Sequence, residues 1–303
     1  MKYLQIMRPR HWTKNMFVFA AVLFGKKLIG PFDEVLPAIS SAVGGFFCFC
    51  LAASAIYIFN DIIDRETDKL HPEKSRRPIA AGNVSVGSAT VLSVLCAIAA
   101  IVCSYLLVRE LAIIILMYIG LMIAYSLFLK RMMILDCVTI SVGFCLRAVA
   151  GAIVVGVFIS PWLVICTFAL CLFLGFSKRR SEIAQLGEDS ELFRKTLAGY
   201  TPELLAHMLD VTSGLAIVCF LLYAMDERTK GLFGPNLVYT TPLVLYCVFR
   251  FSALIQKGKY CDPVQLILGD RPFQIGFVLW VLLCIGIIYS DKLNSTLGGI
   301  WAS

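Results

Sequence analysis

The stretch NDIIDRETDKLHPEKSRRPIAAG, residues 60–82, places a dense block of charge directly behind a long apolar run. Asp61, Asp64 and Asp68 are three and four residues apart, so a helix that continues through them projects their carboxylates from one face. Asn60 stands beside that face. Hard oxygen ligands grouped in this way suit Mg²⁺ better than a softer metal. The stretch therefore predicts a magnesium site at the end of a helix.

The turn that follows these acids is basic. Lys74, Arg76 and Arg77 supply positive groups for phosphate oxygens before Pro78 ends the segment. The alternative is an ordinary polar loop between membrane spans, in which acids and bases only pair and the basic residues fix the orientation. Three acids in helical phase, followed by a basic turn, favour a site for a metal and phosphate over that alternative.

The composition indicates an integral membrane protein. Of the 303 residues, 59% are hydrophobic and only 16% are charged, which is too apolar for a soluble domain of this size. The apolar runs are long and separated by short charged segments, so they favour a helical bundle over an outer-membrane barrel. Most of the twelve cysteines lie inside these runs without the paired spacing of a metal site, and we expect neither a zinc site nor a disulfide framework.

The apolar runs predict an all-α, polytopic membrane bundle of about nine transmembrane helices, forming one integral membrane catalytic domain over residues 1–303. The expected spans are 16–25, 35–59, 84–107, 111–129, 134–157, 161–176, 204–225, 236–255 and 273–290.

The distribution of basic residues predicts the orientation of the bundle. With the N-terminus inside, twenty of the 27 Lys and Arg residues fall on the inner side and six on the outer side. The positive-inside rule therefore places the N-terminus and the long charged loops in the cytoplasm, and the chain in the inner or plasma membrane of the cell. The net charge of +7 follows from these loops, and no basic face with aromatic residues points to nucleic acid.

A second charged loop begins at the end of the sixth span and leads with cations. Lys178 and Glu182 are four residues apart and share a helix face, with Arg179 adjacent. The later part of the loop adds Arg194 and Lys195. A simple salt bridge between Lys178 and Glu182 at a helix end, worth a few tenths of a kcal/mol, is the alternative to a binding role.

Three further cations are candidates for function. Arg10 and Lys14 precede the first span, where basic side chains anchor a helix and can also hold a lipid phosphate. Arg147 lies inside the fifth predicted span, and an ionisable residue within the membrane is by default a functional candidate that points into the bundle. An internal hydrogen-bond tie between helices is the alternative for Arg147.

These residues resemble a known family. The pattern of Asn60, Asp61, Asp64 and Asp68 resembles the first signature of the UbiA-type superfamily of intramembrane prenyltransferases, whose members have about nine transmembrane helices. Further stretches make nearly the whole chain similar to the decaprenyl-phosphate phosphoribosyltransferase branch. They are residues 7–15 (MRPRHWTKN), 64–82, 177–183 (SKRRSEI), 193–201 (FRKTLAGYT) and 269–274 (GDRPFQ).

The resemblance implies a transferase that depends on Mg²⁺. Its partners would be phosphoribosyl pyrophosphate as donor, a polyprenyl phosphate of the decaprenyl type as acceptor, and membrane lipid. The lipid phosphate would be the nucleophile, pyrophosphate would leave, and the product would be a lipid-linked phosphopentose for cell-envelope glycan synthesis. The resemblance implies no particular oligomeric state.

The resemblance also implies roles for individual residues. Asp61, Asp64 and Asp68 would coordinate Mg²⁺ and, with Lys178, form the catalytic set. Asn60 would support the diphosphate by hydrogen bonding, and Arg10 and Lys14 would meet the lipid phosphate. The full set of substrate-binding residues would be Arg10, Lys14, Asn60, Lys74, Arg77, Arg147, Arg179, Glu182, Arg194 and Lys195.

Two departures and two alternatives accompany the resemblance. Ordinary superfamily members carry a second acidic signature where this chain has Lys178, Arg179 and a single Glu182, and branch members often carry an aromatic residue at the position of Arg180. A prenyltransferase that uses a prenyl diphosphate and an aromatic acceptor is one alternative, which the cations of the second loop disfavour. A transporter of a lipid-linked sugar is the other, and it leaves the helical phase of the aspartates unexplained.

Overall fold

The computed structural model describes residues 2–70, 74–186, 195–258, 260 and 263–290, which contain helices and no strand. The 3-10 helices are Pro9–Phe19, Lys74–Arg76, Leu129–Arg131, Lys195–Gly199 and Pro235–Thr240. The α-helices are α1 (Lys2–Ile6), α2 (Ala20–Phe24), α3 (Phe32–Ile63), α4 (Arg65–Lys69), α5 (Val86–Leu107), α6 (Arg109–Leu127), α7 (Leu135–Val155), α8 (Pro161–Leu186), α9 (Pro202–Met225), α10 (Glu227–Phe233), α11 (Thr241–Gln256), α12 (Pro263–Gly269) and α13 (Arg271–Ile288).

Eight helical stretches of the described chain are long and apolar enough to cross a membrane. They are α3, α5, α6, α7, α8, α9, α13 and the stretch Pro235–Gln256, in which a 3-10 helix leads into α11. Each of the eight spans predicted from residue 35 onward falls on one of these stretches. The prediction of an all-α, polytopic membrane bundle is confirmed.

The predicted first span, residues 16–25, is not a ninth helix of this kind. Its residues form the end of the 3-10 helix Pro9–Phe19 and the five-residue helix α2. With the residues before them, they make a helical run over residues 9–24 (11 and 5 residues) that rises about 30 Å, comparable with the ~30 Å of a bilayer's hydrocarbon core. The polar side chain of Asn15 within this run is fully buried in the protein. The predicted number of about nine transmembrane helices stays approximate.

Contacts divide the chain into two compact units. The first contains Met1–Gly25 and Asp33–Phe158, and the second contains Lys26–Phe32 and Ile159–Ser303. The expectation of one catalytic domain over residues 1–303 stays a prediction.

In the first unit, α6 packs against both α5 and α7, and the 3-10 helix Pro9–Phe19 packs against α7. This last contact is very close, because a Cβ atom built on Gly151 of α7 would lie 2.0 Å from the carbonyl oxygen of Val18. Only glycine leaves room for the N-terminal backbone at this point. The apolar interior of the unit includes the fully buried side chains of Val18, Phe49, Leu111, Ile115 and Ala150.

In the second unit, α8 packs against α9, and α11 packs against α13. Asp270 fixes the start of α13. Its Oδ1 accepts a hydrogen bond from the backbone N–H of Phe273 (2.9 Å), and its two oxygens accept from Nε and Nη2 of Arg250 (2.5 and 3.0 Å). A helix cap and a two-bond ion pair on one carboxylate tie α11 to the first turn of α13.

Candidate active site

The acids of residues 60–82 lie where α3 ends and the short helix α4 begins. Helical hydrogen bonds continue through this junction, since Asp64 N donates to Asn60 O (2.9 Å) and Asp68 N donates to Asp64 O (2.8 Å). The Asp61 and Asp68 side chains are only 3% and 6% exposed, whereas that of Asp64 is 28% exposed. The helical spacing predicted for the three carboxylates thus continues past the end of α3.

Two arginines neutralise the buried acids. Arg77 Nη1 donates to Asp68 Oδ2 (2.6 Å) and to Asp61 Oδ1 (3.1 Å), so one guanidinium joins both carboxylates. Arg8 Nη2 also donates to Asp61 Oδ1. Such partners are needed because a buried carboxylate without a cation is costly. Removing either arginine would leave negative charge uncompensated at the end of α3.

Lys130 neutralises the third acid. Its Nζ lies 2.6 Å from Asp64 Oδ1 and 3.2 Å from Asn60 Oδ1, and Asn60 Nδ2 donates to Asp64 Oδ2 (3.0 Å). Lys130 lies in the 3-10 helix that follows α6. The three carboxylates and three cations thus form two bonded groups at the same helix junction: Asp61 and Asp68 with Arg8 and Arg77, and Asp64 with Lys130. We call the two groups together the charged cluster: Asp61, Asp64, Asp68, Arg8, Arg77 and Lys130.

Both burial and neighbouring charges shift the pKa of Asp68. Burial raises the pKa of Asp68 above its ordinary value, and the charge and hydrogen bond of Arg77 act against that rise. The negative charge of Asp61 adds to the rise, because like charges repel. The carboxylate form of Asp68 therefore depends on a nearby cation.

The turn after Arg77 holds that arginine against α3. The backbone N–H groups of residues 83 and 84 both donate to Pro78 O (2.8 and 3.1 Å), and Gly82 adopts a φ of 71°, which favours glycine. Ile79 anchors the turn in a buried apolar cluster with Ile6, Ile58, Val84 and Ala89. The position of Arg77 is thus set by apolar packing beneath it as well as by its ion pairs.

The donor set of the charged cluster suits a hard divalent cation. Three carboxylates and the amide of Asn60 offer the oxygen ligands that Mg²⁺ prefers. Within the residues that the structure describes, no three His, Cys, Asp or Glu side chains already converge as a metal site. The carboxylate oxygens contact Arg and Lys nitrogens instead. The residues fit Mg²⁺ in chemical type, and metal binding would require carboxylates to exchange a cation contact for the metal.

The sequence matches known proteins along most of its length. A family model described as "UbiA prenyltransferase family" matches residues 16–267. The chain belongs to the UbiA prenyltransferase family. A decaprenyl-phosphate phosphoribosyltransferase of Mycolicibacterium smegmatis is 33% identical over 287 residues, which cover 92% of this chain and 89% of that protein. One of Corynebacterium glutamicum is 31% identical over 290 residues, covering 94% and 86%.

The structure also has the fold of solved UbiA proteins. A UbiA homolog from Archaeoglobus fulgidus, solved bound to DMAPP and Mg²⁺, superposes with a TM-score of 0.70 at 19% identity. The match covers 95% of this chain and 99% of that one. At this level of identity the likeness establishes the UbiA fold, and a fold alone does not determine the substrate.

The predicted residues of the second charged loop belong to the second unit. Arg179 is buried and its Nη1 donates to Glu182, whereas Lys178 is exposed. Arg194 and the side chain of Lys195 lie outside the described residues. The catalytic role of Lys178 and the substrate contacts of the other residues stay predictions.

The remaining predicted cations lie in the first unit. Arg10 and Lys14 are exposed on the 3-10 helix Pro9–Phe19, and Lys74 opens the 3-10 helix that precedes Arg77. Their contacts with lipid or donor phosphate stay predictions.

Arg147 is buried among neutral groups. Its Nε donates to Asn15 Oδ1 (2.7 Å), its Nη1 to Gly143 O (2.7 Å) and its Nη2 to the Tyr118 hydroxyl (2.8 Å). These bonds join the N-terminal segment, α6 and α7. The arrangement is the internal tie given above as the alternative for Arg147, and a contact with substrate stays a prediction.

The sequence did not predict that Arg8 and Lys130 belong to the charged cluster. Arg8 was part of a basic N-terminus, and Lys130 counted only toward the orientation of the bundle. Arg8 is 53 residues from Asp61, and Lys130 is 66 residues from Asp64. Spacing along the chain carries no signal for such pairs. The only available hint was that each cation lies close to a predicted membrane boundary on the same side as the aspartates.

Proposed function

We propose that this UbiA protein transfers 5-phosphoribosyl from phosphoribosyl pyrophosphate to a polyprenyl phosphate and releases pyrophosphate. The observation that carries the proposal is the charged cluster, in which each carboxylate is joined to a Lys or Arg side chain that can equally bind phosphate. The names of the relatives at 33% and 31% identity support the choice of donor and acceptor. The product would be a lipid-linked phosphopentose for the synthesis of cell-envelope glycans.

The three aspartates would hold Mg²⁺, with the Asn60 amide beside them. Bound Mg²⁺ would supply charge neutralisation that makes pyrophosphate a better leaving group. Arg8, Arg77 and Lys130 would then donate to phosphate oxygens in place of the carboxylates that they contact now. The same cations would thus donate to carboxylates in the protein without substrate and to phosphates when substrate is bound. Lys74 would add positive charge on the same loop.

The acceptor phosphate would attack the anomeric carbon of the donor. A bond forms between a phosphate oxygen of the lipid and C1 of the ribose, and the bond from C1 to the pyrophosphate oxygen breaks. The attacking phosphate is already ionised near neutral pH, so no general base is needed. Arg10 and Lys14 are the proposed partners of the lipid phosphate, because exposed basic residues at a membrane boundary attract it.

The resemblance also assigns the residues of the second charged loop to the phosphates of the donor. Lys178, Arg179, Arg194 and Lys195 would contribute further positive charge for a donor that bears both a phosphate and a diphosphate, with Glu182 holding Arg179 in place. This composition favours a sugar donor over a prenyl diphosphate alone. By the positive-inside rule the site would face the cytoplasm.

Turnover by the purified full chain in detergent tests the proposal. The reaction contains a polyprenyl phosphate, phosphoribosyl pyrophosphate labelled in the ribose, and Mg²⁺, with Asp64→Asn and a chelated sample as controls. We expect labelled lipid and one pyrophosphate per product only in the complete wild-type reaction. Product from dimethylallyl or geranyl diphosphate with an aromatic acceptor, and none from the labelled donor, would overturn the donor assignment. Movement of a lipid-linked sugar across vesicles without turnover would overturn the assignment as an enzyme.

A further inference from the structure

Four residues of α3 form a stripe that faces the N-terminal segment. Cys50, Ser54, Tyr57 and Asp61 are spaced four, three and four residues apart, so they lie on one face of the helix. Asp61 belongs to the charged cluster, and Cys50 lies three helical turns deeper in the bundle. The stripe therefore connects the membrane interior with the proposed active site.

The N-terminal segment runs along this stripe in the opposite direction to α3. Asn15 Nδ2 donates to Cys50 Sγ (3.3 Å), and Trp12 Nε1 donates to Ser54 Oγ (3.1 Å). The Ser54 hydroxyl lies 2.9 Å from the backbone oxygen of Met7 and 2.7 Å from that of Cys50, and its single proton can be donated to either. Asn15 thus contacts Cys50, whereas Trp12 and Met7, which are nearer the N-terminus, both contact Ser54, one turn closer to Asp61.

Arg8 is the outer end of this series. Its guanidinium carbon lies 5.4 Å from the centre of the Tyr57 ring, and its Nη2 donates to Asp61. Arg8 has a φ of 53°, a left-handed conformation that a non-glycine residue adopts only when the surrounding structure requires it. The Tyr57 ring and the Asp61 carboxylate both contact the Arg8 guanidinium, and together they hold the side chain at Asp61.

Arg147 lies at the inner end of this series of contacts. Asn15 is 0% exposed, and its Oδ1 accepts from Arg147 Nε at 2.7 Å. Arg147 is itself held by the Gly143 carbonyl, the Tyr118 hydroxyl and the rings of Phe49, Tyr118 and Phe144 at 4.6–5.6 Å. A planar guanidinium holds its donors in fixed directions, so one rigid group bonds acceptors on the N-terminal segment, α6 and α7 at once. Arg147 therefore offers a rigid donor for Asn15.

The intervening segment is not a regular helix that would hold itself in place. Pro9–Phe19 is an 11-residue 3-10 helix, whereas 3-10 helices longer than about four residues are uncommon because their hydrogen bonds are poorly aligned. Tertiary contacts must therefore set its position along α3. The Asn15 bonds and the contact between Val18 and Gly151 are the deepest of these contacts.

We infer that Arg147 is a positioning residue: through Asn15 it sets the register of the N-terminal segment on α3 and so places Arg8 on Asp61. Arg147 then acts on the reaction without touching a substrate. The effect on turnover rests on the proposed function, whereas the effect on the N-terminal segment does not.

Hydrogen–deuterium exchange of the full chain in detergent tests the structural half. Asn15→Asp keeps the oxygen that accepts from Arg147, and Asn15→Leu removes it at similar volume. We expect peptides that cover residues 7–19 to exchange about tenfold faster in Asn15→Leu and Arg147→Met, and at nearly the wild-type rate in Asn15→Asp. The control variant Arg109→Met removes an exposed arginine of the same unit and should leave these peptides unchanged. Wild-type exchange of residues 7–19 in Asn15→Leu would overturn the inference.

A double-mutant cycle on kcat/KM tests the functional half. If Arg147 acts through Arg8, Arg147→Met should lower kcat/KM about tenfold in the wild-type background and less than about twofold in Arg8→Gln. Losses that multiply in the double mutant would mean that Arg147 acts independently of Arg8, which overturns the positioning role. If no phosphoribosyl lipid forms at all, the proposed function fails, and the exchange rates still decide the role of Arg147.

Discussion

Lys130 Nζ lies 2.6 Å from Asp64 Oδ1, although the two residues are 66 positions apart in the chain. The contact joins the loop after α6 to the junction of α3 and α4. Both side chains are mostly buried, with exposures of 16% and 28%, so water screens their attraction less than in a surface ion pair. The loop after α6 therefore belongs to the charged cluster, beyond any part that it has in orienting the bundle.

Replacing Lys130 should abolish most activity. Lys130→Ala removes the cation beside Asp64 and, in the proposed reaction, a donor to phosphate, and we expect kcat/KM to fall by about 100-fold. Arg131→Ala removes an adjacent, exposed cation and should change kcat/KM by less than about twofold. Steady-state kinetics with varied phosphoribosyl pyrophosphate measure both. Equal losses in the two variants would mean that only the total charge of the loop matters.

Asp61 and Asp64 should differ in their effect on stability. Asp61→Asn leaves Arg8 and Arg77 next to a buried neutral amide, and breaking such a pair costs about 3–5 kcal/mol. Asp64→Asn affects a more exposed pair that has one cation and should cost less, about 1.5 kcal/mol. Thermal unfolding in detergent should therefore give a much lower Tm for Asp61→Asn, although both variants lose turnover. Matching Tm values would argue against the tighter pairing of Asp61.

The sequence was sufficient to predict what local patterns encode. Long apolar runs predicted eight spans correctly, because length and hydropathy alone decide whether a helix can cross a bilayer. The helical phase of Asp61, Asp64 and Asp68 was readable because a repeat of three and four residues lies within one helix. The UbiA fold followed from motifs that extend over nearly the whole chain.

Features that depend on contacts between distant segments could not be predicted. The close approach of the Val18 backbone to Gly151 joins residues far apart in the chain, and no local pattern predicts it. The pairing of Arg8 with Asp61 likewise joins residues 53 positions apart. For Arg147 the sequence left a binding role and an internal tie open, since both require a buried cation, and its acceptors on distant segments could not be predicted from the sequence.

Gly151 should be intolerant of a side chain. Gly151→Ala places a methyl group 2.0 Å from Val18 O, and backbone on both sides cannot move apart without disturbing the N-terminal segment. We expect a Tm several degrees lower and weaker activity. Gly120→Ala, also within a helix of the first unit, meets nothing within 4 Å and should be neutral or up to about 1 kcal/mol more stable. A Gly151→Ala protein with the wild-type Tm would contradict the close approach.

Mg²⁺ and pyrophosphate together should stabilise the wild-type protein. A ligand that binds only the folded state at a hundred times its Kd adds about 2.7 kcal/mol, so Tm should rise by several degrees. Pyrophosphate with a chelator should give no rise, because the carboxylates then keep their Arg and Lys partners. Asp64→Asn should lose the rise, and Arg131→Ala should keep it. A rise of equal size in Asp64→Asn would place the bound metal and pyrophosphate away from the charged cluster and contradict its assignment as the magnesium site.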